Sequence, residues 1–321
     1  MNISDIIPVY NVEKYVERCI LSIMSQTYTE SVECIVVNDC TPDNSMKIVE
    51  KMVSDYKGQI QFKLLYHEHN RGVAAVRNTG LDAASGDYII QIDSDDYCEP
   101  DMLEKMYAKA VEEDADIVVA DYWRSGADRE LYCTNIVSAT KISRIKDFLQ
   151  NKRQGYLWCQ LIRRLLLVDH HIKLDEGIDF AEDFNLSCKM YCYAENVAYI
   201  PKAFVHYVQY NMSSYVKSMG RKSLENIIQG EKAIMNFFEE KGMHKEVYED
   251  LLIQRKIISL YSDIPPFIKL KYLTVSRKSS FYWLVAHFFA SLRIHLIYNL
   301  MRAFWKTLKK KQAQQISFFS E

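Results

Sequence analysis

Residues 87–96 read DYIIQIDSDD, and this stretch decides the fold. Tyr88 to Ile92 make a run of strand length that is almost wholly apolar, and it stops at three carboxylates, Asp93, Asp95 and Asp96. Working outward, ISDIIPV at 3–9, VECIVV at 32–37, FKLLY at 62–66 and DIVVA at 116–120 repeat the strand-like run. Helical signals lie between them. Tyr15, Val16, Cys19, Ile20, Ile23 and Met24 recur at helical spacing, as do Ile48, Val49, Met52, Val53 and Tyr56, with Asp43 or Ser45 as the cap of the second helix. A short helix is expected from Gly72 to Ala84, closed by Gly86, and another from Pro100 to Glu113. Strands that are apolar throughout and alternate with helices predict an α/β fold whose parallel sheet is covered on both faces. Ligands of such sheets sit at the carboxyl ends of the strands, so Asp39, Arg71 and the Asp93 loop should converge on one crevice.

The 321 residues, 49% of them hydrophobic, suffice for one sizeable domain with an appendage. A formal net charge of -2 provides no basic field for nucleic acid, so an acidic substrate must be handled by individual arginines or a metal. The eight cysteines show neither CxxC nor zinc spacing and read as reduced, mostly buried thiols. The chain runs straight into its first strand without a basic leader, so a cytoplasmic protein is expected. The organisation expected is a catalytic domain over 1–215 with halves 1–123 and 124–215, a helical extension over 216–276, and a distinct segment over 277–321.

Five motifs carry chemistry, and each has a bland reading. Asp93-Ser94-Asp95-Asp96 crowds carboxylates that repel unless a cation compensates, and oxygen-rich loops suit Mg²⁺ or Mn²⁺ beside substrate phosphates. A solvated acidic turn is the alternative; a calcium loop fails because Cys98 stands where that loop needs glycine. IIPVYN at 6–11 lacks the glycines of a dinucleotide site, which argues against a dehydrogenase, and Pro8, Tyr10 and Asn11 either form a nucleobase shelf or merely shape the turn. Asp39, after Asn38, either accepts from a base or ribose or caps the PDNS segment. Arg71 and Arg77 either face a diphosphate or make structural ion pairs. Glu182 and Asp183, held between Phe180 and Phe184, read either as partly buried carboxylates suited to general-base work or as a helix-start acid pair.

Taken in order, IIPVYN, VVNDCTPDNS, NRGVAAVRNTG, GDYIIQIDSDD and AEDF resemble the family 2 glycosyltransferases of GT-A fold, strongly over residues 3–123 and more weakly over 150–215. The resemblance implies an inverting, metal-assisted transfer of a sugar from a nucleotide-diphosphate donor, with uridine diphosphate as the carrier. The first half would bind this donor and the second the acceptor, a glycan or lipid-linked glycan. Pro8, Tyr10, Asn11 and Asp39 would hold base and ribose, and Arg71, Arg77 and Ser94 would support the nucleotide. Asp95 would be the direct metal ligand and Asp93 a ribose contact beside it, with Mn²⁺ or Mg²⁺ as cofactor and His206 as a third ligand. Asp183 would be the catalytic base and Trp158 the floor of the sugar site. Gln160 stands where that family commonly has lysine, and Asn38 where it frequently has aspartate. Two other readings are a sugar nucleotidyltransferase, which would need a glycine-rich phosphate loop absent here, and a non-catalytic nucleotide- or glycan-binding protein of the same fold.

Residues 279–311 differ in kind. His287, Ser291, His295, Asn299, Arg302, Lys306 and Lys309 form one polar stripe at helical pitch, opposite a wide face that includes Phe281, Phe289, Leu296 and Phe304, which only Arg293 interrupts. Charges at Arg293 and Arg302 argue against a span, and the aromatic residues with Lys309-Lys310-Lys311 suit an interfacial helix on anionic lipid at the inner membrane face. Packing on protein is the alternative. The membrane reading predicts that the full chain floats with anionic liposomes at low salt and that a chain ended after Asp263 does not; if both stay in the soluble fraction, the helix packs on protein instead.

Overall fold

The computed structural model describes residues 1–150, 152–211, 221–243 and 247. Strand β1 (Ile3–Val9) pairs in parallel with β2 (Val32–Asn38), from Ile3 opposite Val32 to Val9 opposite Asn38, and on its other side with β4 (Tyr88–Gln91). Strand β3 (Gln61–Tyr66) adds in parallel to β2. Period-two alternation sends Ile3, Ile7 and Val9 to one face and Ile6 to the other. The first face is buried under α1 (Val16–Met24) and α2 (Ser45–Asp55), whose Val16, Cys19, Ile20, Ile23 and Val49 join one core with Val36, Ile90 and Ile92. The second face meets α3 (Val73–Ala83), where Val76 packs with Ile35 and Val37. Gly80 lets α3 approach, because a Cβ there would come within 2.3 Å of Ile6 Cγ2.

The second half continues the same sheet. Past β4 comes β8 (Gln160–Arg163), antiparallel to β4 and to β6 (Ile117–Ser125), and then β9 (Val197–Val208), parallel to β6. The order is β3-β2-β1-β4-β8-β6-β9-β5, where β5 (Tyr97–Cys98) closes antiparallel on β9, and β7 (Glu130–Cys133) pairs with the outer part of β6. Helix α4 (Met102–Glu112) buries Met102, Leu103, Met106 and Ala110 against this region. Helices α5 (Lys141–Leu149), α6 (Arg164–Asp169) and α7 (Glu182–Tyr191) complete the half.

Two expectations change. The cap position of α2 is Asn44, although the Asp43 carboxylate does accept the Ser45 N–H at 3.1 Å. The first compact unit runs from Met1 to Gly242, so helix α8 (Arg221–Glu240) belongs to it rather than to an extension starting at 216. The reason is contact: Asn226 accepts the Asp179 N–H at 3.3 Å and donates to the Gly177 carbonyl at 2.9 Å. The second unit spans Met243 to Glu321. The amphipathic segment at 279–311 lies outside the described residues. Among the described residues, no helix is long and apolar enough to cross a membrane.

One group works against this core. Asp5 is wholly buried in β1 beside Cys19, Cys34 and Cys98, and neither of its oxygens has a hydrogen-bond partner. Burial pushes its carboxyl up to about 8, so the folded chain keeps the proton at neutral pH. Below the unfolded-state value of 3.8 both states are protonated and Asp5 adds no pH-dependent cost. Between that value and about 8 only the unfolded state ionises, and stability falls by about 1.4 kcal/mol per pH unit. We expect Asp5→Val to raise the unfolding free energy at pH 7.5 by several kcal/mol, because the penalty of about 1.4 kcal/mol per pH unit accumulates from 3.8 up to that pH. It should also flatten the pH dependence between pH 5 and 8. Parallel pH curves for the two proteins would show that the carboxyl finds a partner.

Candidate active site

The carboxyl ends of β1, β2 and β4 carry the residues expected on the donor side. Asn11 and Cys40 both take left-handed backbone, at φ 54° and 56°, and lie side by side because the Asn11 N–H donates to Thr41 Oγ1 at 2.8 Å. The Asn38 side chain closes this turn by accepting the Thr41 N–H at 2.9 Å, a task that aspartate would also perform. Pro8 is half-buried and Tyr10 is 47% exposed, the profile of an uncovered aromatic surface.

Asp39 is buried, and it does not cap the PDNS helix. Its carboxylate accepts the backbone N–H groups of Arg71 and Gly72 at 2.8 and 2.9 Å and meets His67 Nδ1 at 2.7 Å. His67 is fixed in turn by Thr79 at 2.9 Å from its Nε2. Gly72 has φ 89°, which only glycine adopts cheaply, and its missing Cβ leaves room for the Asp179 carboxylate. The Arg71 side chain is exposed and pairs with Glu176 at 3.0 Å. Asn78 exchanges hydrogen bonds with the backbone of Leu174, each at 3.0 Å. The NRGVAAVRN motif therefore docks the loop at 174–179, which leads into Glu182-Asp183.

Arg77 joins the two acidic motifs. Its guanidinium, 5% exposed, donates to Gln91 Oε1 at 3.1 Å and Asp93 Oδ1 at 2.5 Å, and its Nε lies 3.7 Å from Glu182 Oε1. This is the ion-pair alternative for Arg77; the cation is spent inside the protein. Glu182 and Asp183 open α7 directly after Ala181, whose φ of 61° is left-handed. Such a backbone costs a non-glycine residue about 1 kcal/mol, and it turns the acidic pair back toward Arg77. Both carboxyls are half-buried and held above their ordinary range, by burial first; the Asp183 charge adds to the rise at Glu182, and Arg77 opposes it at both.

In the 93–96 loop the acids have separate fates. Asp95 makes no close ion pair among the described residues; one oxygen accepts from Asn211 Nδ2 at 2.8 Å, and burial and the Asp93 charge push it up to about 6 against the opposing charge of Arg18. Asp96 is buried, accepts the Val208 N–H at 2.8 Å through Oδ1, and leaves Oδ2 without a partner. Ser94 is buried between them. Among the described residues no three His, Cys, Asp or Glu side chains form a ready cage for a metal.

Two expected site residues sit differently. His206 does not join Asp93 and Asp95: its ring nitrogens meet Glu99 at 2.9 Å and Glu130 at 2.8 Å, and its ring stacks on Tyr97 at 4.3 Å. The next residue along β9 faces the site instead, since Tyr207 feels the charges of Asp96, Asp93 and Asp95. The late residue that touches Asp95 is Asn211. Trp158 is 2% exposed, so it underlies the surface rather than forming it. It packs on Tyr156 at 4.7 Å, Tyr122 at 4.9 Å and Tyr207 at 5.4 Å, of which Tyr156 and Tyr207 keep partial exposure. Gln160, in place of lysine, is buried and accepts from Tyr191 at 2.9 Å and Arg153 at 3.3 Å.

The acidic loop that follows the outer strand of the parallel half-sheet is tied by one arginine to a second acid pair, and residues 4–166 match the model described as glycosyl transferase family 2. The chain belongs to glycosyl transferase family 2. It is similar to the uncharacterized glycosyltransferase EpsJ of Bacillus subtilis, 30% identical over 257 residues that cover 78% of this chain and 73% of that protein. The glycosyltransferase EpsH of the same organism, described as putative, is 31% identical over 78% of this chain and 72% of its own length. In fold it is similar to residues 1–349 of Staphylococcus aureus TarS solved with UDP-GlcNAc, at a TM-score of 0.60 and 23% identity over 85% of this chain and 70% of that one. As in its family, the fold is α/β of GT-A type, and the protein is a glycosyltransferase.

Arg77 lowers the carboxyls of Glu182 and Asp183, so its removal raises them. Arg77→Gln should move the acid limb of the kcat/KM profile to higher pH, in addition to lowering the plateau by about 10²-fold, the scale of a displaced general base. An unmoved limb would mean that the acid pair's proton affinity is set elsewhere.

Proposed function

We propose that this glycosyltransferase moves a sugar from a uridine-diphosphate donor to a hydroxyl of a glycan or lipid-linked glycan, with inversion, as in cell-surface polysaccharide synthesis. The observation that carries the reading is the joining of Asp93 and Glu182 through Arg77, which brings the acidic loop and the Glu182-Asp183 pair to one place. UDP-GlcNAc bound to TarS, which shares the fold, supports the choice of donor.

In this reading Tyr10 and Pro8 cover the base, and Asn11, Asp39 and the Arg71 loop hold base and ribose. Asp39 keeps a lone-pair position on Oδ2, where, among the described residues, only the Gly72 N–H arrives. The residues at Asp95 fit a divalent cation: a half-buried, proton-hungry carboxylate with one oxygen on Asn211 and an unpartnered Asp96 oxygen on the next residue. Mn²⁺ or Mg²⁺ held there would supply Lewis-acid neutralisation of the leaving diphosphate, and such ions commonly keep waters and substrate phosphates as their other ligands. Asp93, committed to Arg77, orients the loop and the ribose side.

Asp183 does the protein's part of the chemistry. Its raised proton affinity lets it take the proton of the acceptor hydroxyl while that oxygen bonds to the anomeric carbon. The bond from this carbon to the diphosphate oxygen breaks on the opposite side, through an oxocarbenium-like state. A single displacement of this kind inverts the anomeric configuration. Attachment of residues 279–311 to an anionic inner-membrane surface would bring the enzyme to a lipid-linked acceptor.

The test is a panel of nucleotide sugars with Mn²⁺, read by release of nucleoside diphosphate, with UDP-sugars expected to turn over. Asp95→Ala should abolish the metal dependence of UDP binding in calorimetry, and unchanged metal-dependent affinity would remove the metal assignment. Asp183→Asn should keep donor binding and lower turnover by about 10²-fold or more; turnover within a few-fold of wild type would assign the base elsewhere.

A further inference from the structure

The acceptor half contains a cation that the acidic motifs do not use, Arg124, whose side chain hydrogen-bonds Tyr122. Arg124 lies near the carboxyl end of β6, opposite Tyr207 of β9 and Leu131 of β7. Residues opposite each other in a sheet share a face, as do residues two apart along a strand. Arg124 therefore shares its face with Tyr207 and Tyr122, which pack with Tyr156 and Trp158. Tyr156, at the centre of that cluster, feels the charges of both Asp183 and Arg124. This exposed guanidinium thus stands over an aromatic platform next to the acid pair.

Among the described residues no carboxylate pairs with Arg124. Glu130 is close in sequence on β7, but alternation puts it on the opposite face, where it receives Ser125 Oγ and meets His206 Nδ1 at 2.8 Å. The other arginines near the site are committed: Arg77 to Asp93 and Glu182, Arg71 to Glu176, and Arg18 to Tyr210 and the Asp95 carbonyl. Nor does sheet order put Arg124 with the nucleotide. The expected base, ribose and diphosphate residues follow β1, β2 and β4, whereas β6 lies beyond β8.

We propose that Arg124 reads a negative charge on the acceptor, so that the substrate of the second half is an anionic glycan, carrying a phosphate or carboxylate beside the hydroxyl that Asp183 deprotonates. A planar guanidinium presents paired donors that match the oxygens of either anion. The partly exposed rings of Tyr156 and Tyr207 offer an apolar platform to the sugar ring while Arg124 holds its charge. Nothing in the donor half supplies this preference, so it selects among acceptors without altering donor use. The inference rests on the glycosyltransferase reading of Asp183 and the acidic loop above.

The experiment uses the full chain loaded with UDP and Mn²⁺ and measures the binding of glucose 6-phosphate, glucuronate and glucose by calorimetry and ligand-observed NMR. The anionic sugars should bind at least about tenfold more tightly than glucose, and comparison of the two anions distinguishes phosphate from carboxylate. Arg124→Gln should remove the preference and Arg124→Lys should keep part of it. Both variants should retain the wild-type melting midpoint and the wild-type rate of donor hydrolysis to free nucleoside diphosphate. The proposal is overturned if the anionic sugars bind no better than glucose, or if Arg124→Gln leaves their advantage intact. A fall in donor hydrolysis in Arg124→Gln would also overturn it, by placing the guanidinium on the donor. Absence of UDP binding or donor hydrolysis in the wild type would instead count against the donor reading itself.

Discussion

The site depends on one buried cation. Arg77 sits on a helix that covers one face of the sheet, yet it holds an acid from the end of β4 and another from the start of α7. Without it, Asp93 and Glu182 would face each other across a desolvated space, and like charges so placed drive one another to protonate. With it, the loop after β4 and the helix that begins at residue 182 are tied to one rigid element. A guanidinium suits this task better than an ammonium, because its separate nitrogens reach Gln91, Asp93 and Glu182 in different directions.

A second layer of restraints aims the acid pair. Asp39, Gly72 and Asn78 each bind the backbone or fill the space of a neighbouring loop, so the chain from Leu174 to Asp179 is fastened to α3 before it reaches Ala181. The left-handed turn at Ala181 comes directly after this fastened stretch and opens α7. Strain at this point is offset by the hydrogen bonds upstream, a common arrangement where a reactive side chain has to be aimed.

Much of the first half was legible in the amino-acid sequence. β1, β2, β4 and β6 fall on the apolar runs because helices bury them, and the edge strand β3, only partly covered, still carries the run FKLLY. β5, β7, β8 and β9 escaped because they are defined by partners rather than by composition. β5 is a two-residue strand opposite His206 and Val205, and β8 earns its place only by lying between β4 and β6. In the site, the acidic loop, Arg77 and the Glu182-Asp183 pair could be named from their types and order. What could not be read was who answers whom. Asn211 and Tyr207 lie more than a hundred residues from the acids they serve, and His206 was misplaced because alternation along β9 decides whether it or Tyr207 turns inward. Gln91, a polar residue inside an apolar strand, was the available hint that a buried donor lay opposite.

The insertion of β8 between β4 and β6 has a consequence for synthesis on the ribosome. A nascent chain that has emerged only through β6 contains four parallel strands whose outer member, β4, still has one bare edge, because its neighbour comes from residues 160–163. A bare edge in a half-made sheet is a template for pairing with another chain. The segment shared with the family, residues 4–166, ends just after β8. It thus closes at the first length at which that inner edge is capped, while β6 still waits for β9 to cover its other side.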